Sequence, residues 1–166
     1  MSVWTWVLIA RGYRARRKGA LLDAHRHFAE AVSRCRRSGN SPALAHALKG
    51  LGQIERDLGR GDAARPLYEE AIAICRRERD PLRLAHTVRH LGDIHQDAGR
   101  VELAEPCYRE ALAIYRAHQG TARLDLANTL SAVRDTSGDS WKASAGDRPM
   151  DGGEKPLCGA ELAPGV

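Results

Sequence analysis

Between Leu44 and Leu58 the apolar residues Leu44, Leu48, Leu51 and Leu58 fall one or two helical turns apart. That spacing predicts an α-helix with one buried face. Gly59 and Gly61 then interrupt the pattern and are expected to supply a C-cap and a tight turn. Asp62 is the expected N-cap of a second helix, whose apolar stripe is Leu67, Tyr68, Ala71, Ile74 and Cys75. Arg76 and Arg77 suit the negative end of that helix's dipole. Pro81 blocks its continuation. Pro66 is expected near its first turn, where a missing N–H costs least.

The same arrangement recurs after 40 residues, with no gap. Gly52, Ile54, Gly59, Arg60, Ala64, Pro66, Tyr68, Glu70 and Ala71 match Gly92, Ile94, Gly99, Arg100, Ala104, Pro106, Tyr108, Glu110 and Ala111. Backwards by the same shift, Gly12, Gly19, Ala24, Phe28, Glu30, Ala31 and Cys35 fall in register. A weaker match begins at Leu126 and fades after Val133. The reading is three helix pairs, over 3–40, 43–80 and 83–120, followed by the first helix of a fourth. Small residues such as Gly52 and Ala64 stand where paired helices approach closely, and Tyr68 fills the space they leave. One hairpin cannot bury its apolar face alone, so neighbours are expected to stack and share a core.

A Gly (Gly12, Gly52, Gly92), an Ala twelve residues on, an aromatic four later and an Ala three after that make a fixed pattern. It resembles the tetratricopeptide repeat family, in the longer variant found in kinesin light chains and many bacterial regulators. The resemblance covers residues 3–134. It implies an all-α, right-handed solenoid of antiparallel helix pairs. It also implies a non-catalytic protein–protein interaction module, with the first helix of each pair lining a concave groove.

The groove positions implied by the family are Trp6, Ile9, Tyr13 and Arg16 in the first unit. In the second they are His46, Lys49, Gln53, Arg56 and Asp57. In the third they are His86, Arg89, His90, Asp93 and Gln96, continued by Asn128 and Ser131. Cations and hydrogen-bond donors prevail, which favours an acidic peptide or a terminal carboxylate as partner. Lys49 occupies one position of the family's carboxylate clamp, but Gln53 and His90 stand at others, so chaperone binding is not carried over.

Charge alters this picture modestly. The 166 residues carry a net charge of +5 and only 5% aromatics. Residues 135–166 hold six acidic and three basic residues, which leaves +8 on residues 1–134. That tail is expected to be disordered, or the frameshifted end of a longer repeat protein. The basic balance keeps nucleic-acid binding as an alternative, disfavoured because arginines alternate with glutamates at helical spacing. Trp4, Trp6, Val7 and Leu8 give the first helix an apolar end and a candidate self-assembly surface.

No apolar run approaches the roughly 20 residues of a membrane span, and the early apolar stretch precedes its basic residues, the reverse of a secretory signal. A cytoplasmic protein with reduced thiols is expected, because the four cysteines lack metal, redox or disulfide-framework spacing. No cofactor is called for and no enzyme motif is present. His86, His90, Asp93 and Asp97 share one helical ridge and could chelate a metal. The second unit carries His46, Gly50, Gln53 and Asp57 there, which is no metal set, so a polar groove face is the preferred reading.

Overall fold

The structure is a computed structural model and describes residues 3–118 and 123–137. These residues form α1 (Val3–Arg17), α2 (Leu21–Ser38), α3 (Ser41–Asp57), α4 (Gly61–Glu78), α5 (Pro81–Asp97), α6 (Val101–Ala117) and α7 (Arg123–Ser137). Each helix packs antiparallel on the next in an all-α solenoid. Helix α7 ends at Ser137, three residues past the expected boundary. The expected tail beyond it lies outside the described residues.

Glycines close the turns within pairs. Gly19, Gly59 and Gly99 have φ of 74°, 75° and 71°, a region open to residues without a Cβ. The turns between pairs use Gly39 and, at the equivalent place, Arg79, with φ of 54°. Each of α3 and α5 starts with a side-chain cap: Asn40 accepts from the Ala43 N–H and Asp80 from the Arg83 N–H. Pro81 both follows the end of α4 and opens α5, where its fixed φ suits a first helical residue.

Two local expectations need correcting. Asp62 does not cap α4; the helix begins one residue earlier, at Gly61, with Arg60 as its cap and no side-chain bond to it. A glycine can enter the helix as readily as the turn, so the acid moves into the first turn and still meets the positive dipole end. Pro66 is then the sixth residue of α4, beyond the first turn, so its missing N–H leaves one interior carbonyl without its helical donor.

The repeated small and aromatic positions form the core. Ala24, Ala64 and Ala104, and Phe28, Tyr68 and Tyr108, are fully buried. A Cβ at Gly12 would meet Phe28 at 2.7 Å, one at Gly52 would meet Tyr68 at 3.0 Å, and one at Gly92 would meet Tyr108 at 2.8 Å. Each pair is therefore closed by an aromatic ring lying on a bare backbone. Cys35 and Cys75 are buried free thiols in the same core, and burial pushes Cys75 up to about 11. Cys107 is buried in the same core.

The first helices of successive pairs touch directly, α1 on α3, α3 on α5 and α5 on α7. Among the described residues the second helices α2, α4 and α6 have no such mutual backbone approach. A stack whose first helices are closer together than its second helices curves toward the first. This places α1, α3, α5 and α7 on the inner side.

Candidate functional site

On the inner face, the polar positions fall into a bonded set and an open set. The bonded set begins with a repeated ion pair. Arg16 Nε donates to Asp57 Oδ2 at 2.6 Å, and Arg56 Nε donates to Asp97 Oδ2 at 2.6 Å, each 41 residues along the chain. A spacing of one repeat plus one residue carries each arginine from one first helix to the next. The third unit has Gln96 where an arginine would continue the series. Its side-chain oxygen accepts from the Tyr108 hydroxyl at 2.6 Å instead.

Gln53, His90 and Asp93 are also bonded and are buried. His90 Nδ1 donates to Asp93 Oδ2 at 3.1 Å, and its Nε2 accepts from the Gln53 amide at 2.9 Å. Tyr108 and Arg89 also donate to Asp93, both at 3.1 Å, and Arg56 does so at 3.3 Å. Burial pushes His90 down to about 4, against the opposing pull of Asp93, so the ring is neutral at pH 7. Both ring nitrogens are engaged, which leaves neither to chelate a metal jointly with His86. Among the described residues no cluster of three or more His, Cys, Asp or Glu could hold a metal ion. Ile9, expected to face the groove, turns into the core.

The open set lies beside it. Trp6 and Tyr13 bracket His46, with ring centroids 5.6 and 5.5 Å away. His86 lies 4.7 Å from His90, centroid to centroid. Lys49 sits half-buried beside these rings and has no hydrogen-bond or ion-pair partner among the described residues. Burial pushes its ammonium down to about 8, with Arg83 adding repulsion. Burial likewise pushes His46 down to about 4, with Lys49 and Arg83 adding to it. Asn128 on α7 is exposed, and Ser131 is half-buried.

Arg83 is the residue that sequence reasoning missed. Its guanidinium donates to the Pro42 carbonyl at 2.8 Å and pairs with Asp80 at 3.1 Å, so it is held across the junction of α3 and α5. Its counterpart in the second unit is Ala43, so the repeat gave no signal for it. A basic residue two positions after a helix-starting proline was the available clue.

A stack of paired helices with a polar inner face defines a repeat-type interaction protein. Tetratricopeptide repeat models match residues 3–77 and 84–121, and the chain belongs to the tetratricopeptide repeat family. The fold is similar to the crystal structure of BtubC (BKLC) from P. vanneervenii, with a TM-score of 0.75 at 22% identity. The match covers 92% of this chain and 69% of that one. A comparison with curated protein sequences found no match. Proteins of this family generally mediate protein–protein interactions and are typically non-catalytic. No helix among the described residues is long and apolar enough to cross a membrane.

Proposed function

We propose that this chain is a non-catalytic adaptor that holds an acidic peptide segment against its inner face, with one partner carboxylate seated on Lys49. The observation that carries this reading is the Lys49 ammonium: half-buried, without a hydrogen-bond or ion-pair partner among the described residues, and with Arg83, Arg89 and three imidazoles acting on it against the weaker pull of Cys75 and Asp125. A buried cation without a counter-ion is costly. A partner carboxylate offsets that cost and gains a charge-assisted hydrogen bond. Trp6, Tyr13 and His46 offer an aromatic cluster, with Trp6 and Tyr13 inclined at 56° and 72° to the His46 ring, for the adjoining apolar side chains of the peptide.

Arg16, Arg56, Gln53, His90, Asp93 and Gln96 serve this reading as the frame that fixes the face, since their polar groups bind one another. His86 and Arg89 flank the carboxylate position. The test is calorimetric titration with a Glu-rich peptide and with its Gln-substituted twin. Binding of the Glu peptide alone, abolished by Lys49→Glu and weakened by Arg83→Gln, is the expected result. Equal binding of both peptides, or an unchanged affinity in Lys49→Glu, refutes it.

A second reading, self-association, is supported by Val3 and Trp4, which are 74% and 66% exposed at the start of α1. Size-exclusion chromatography of Trp4→Glu against the parent tests it; an identical elution volume at all concentrations removes it.

A further inference from the structure

We infer that the junction between the second and third helix pairs binds an oxyanion, of the phosphate dianion class, between Arg65, His95 and Arg100. The inference comes from comparing two junctions that the repeat makes equivalent. At the first junction Glu55 is buried at the end of α3 and is clasped from both sides. His25 Nε2 lies 2.8 Å from Glu55 Oε1, and Arg60 Nε lies 2.8 Å from Glu55 Oε2. Forty residues on, these three positions are Arg65, His95 and Arg100. The histidine has become an arginine, the arginine is kept, and the acid between them has become a histidine.

The second junction therefore retains the cationic clasp and has lost the anion. His95 is only 8% exposed and its Nδ1 is buried with no hydrogen-bond partner among the described residues. Arg65 has no hydrogen-bond or ion-pair partner among the described residues. Among the described residues Arg100 reaches only Asp62, at 3.9 Å, and the Asp62 side chain is almost fully exposed. Arg65 and Arg100 both act electrostatically on the His95 ring, opposed by Glu102. The two arginines also line one cavity of about 280 Å³, together with Asp62, Ile94 and the Arg56–Asp97 pair; His95 adjoins this lining in the chain and is not itself part of it.

The cavity reaches the first residues of α4, whose capping residue Arg60 offers no side-chain acceptor to the helix amides. These amides add to the field but do not make the site; the arginine pair and the unpartnered imidazole do. At the first junction a single carboxylate meets one guanidinium and a histidine. The second junction presents two guanidiniums and a histidine, which matches a dianion better than a carboxylate. The site lies at the edge formed by the turns, apart from Lys49, so it stands or falls independently of the peptide-binding reading.

The experiment titrates the full chain with inorganic phosphate at constant ionic strength, with acetate in a parallel series. It reads the imidazole NMR signals of His95 and the Tm. Saturable movement of the His95 signals with millimolar phosphate, a matching rise in Tm, and a much weaker acetate response are expected. Arg65→Gln should weaken phosphate binding at least tenfold. His95→Glu supplies the missing carboxylate internally; it should abolish phosphate binding and raise the Tm without phosphate. The double change His25→Arg with Glu55→His, which reproduces the second junction at the first, should create a second phosphate site. Three results each overturn the proposal: His95 signals unmoved by phosphate, a phosphate response retained in Arg65→Gln, or acetate acting as strongly as phosphate.

Discussion

Arg56 Nε and Asp97 Oδ2 lie 2.6 Å apart and join α3 to α5, repeating one unit later the bond between Arg16 and Asp57. A side chain committed in this way frames the inner face and is not itself free for a partner. Both groups are partly exposed, so the pair contributes modestly. Arg56→Gln is expected to lower stability by about 1 kcal/mol or less, measured by urea denaturation. The loss should shrink further at 0.5 M salt. A loss several times larger would show that the contact to buried Asp93, at 3.3 Å, outweighs the surface pair.

The aromatic rings that close each helix pair leave no room for a methyl group. Gly92→Ala places a Cβ 2.8 Å from Tyr108, whose hydroxyl is held by Asp93 and Gln96. The ring cannot withdraw without breaking those bonds. A loss of about 1–3 kcal/mol is expected, despite the higher helix propensity of alanine. An unchanged denaturation midpoint would mean that the helices can separate freely.

Arg79 occupies the left-handed region with φ of 54°, where the equivalent turn has Gly39. Arg79→Gly should stabilise the chain by roughly 0.5–1 kcal/mol, because relief of Cβ strain exceeds the added freedom of the unfolded chain. Thermal unfolding reads the effect directly, and a lower Tm would contradict it.

Burial holds His46 at about 4, well below its ordinary 6.5. The unfolded chain therefore binds more protons between these values, and stability falls as pH drops from about 6.5 toward 4. His46→Phe keeps the ring contacts to Trp6 and Tyr13 and removes the titration. Its stability should fall less steeply over that window; parallel curves for the two proteins would exclude His46 as a source of the slope.

Lys49 predicts opposite signs for stability and binding. Lys49→Met removes an unpaired buried ammonium and should raise stability at pH 7 by about 1–3 kcal/mol. It should also eliminate affinity for a Glu-rich peptide. In the parent, the folded state holds the ammonium at about 8, below its ordinary 10.5, so stability should rise with pH across that interval. Loss of stability in Lys49→Met would locate a counter-ion for Lys49 within the chain.

The repeat made most of the fold legible. Gly12, Ala24, Phe28 and Ala31, restated at 40-residue intervals, located helix pairs and their closing aromatics, because each position meets one packing demand three times over. The site was legible in part. Helical spacing identified which polar residues share the inner face, since periodicity encodes direction. It could not separate Lys49, left without a bonded partner among the described residues, from Arg56, bonded across the junction, because that depends on what the next helix offers. Arg83 escaped notice because its position is unique to one unit.

The chain by itself determined the period, the helix pairs and the small and aromatic residues that allow them to stack, all of them local or repeated demands. The tertiary structure alone decided which charges cancel. Arg16 finds Asp57 and Arg56 finds Asp97, whereas the side chains of Lys49, Arg65 and His95 form no hydrogen bond or ion pair with an acid among the described residues. Electrostatic pairing is a property of distances between units, and those distances exist only once the helices have stacked.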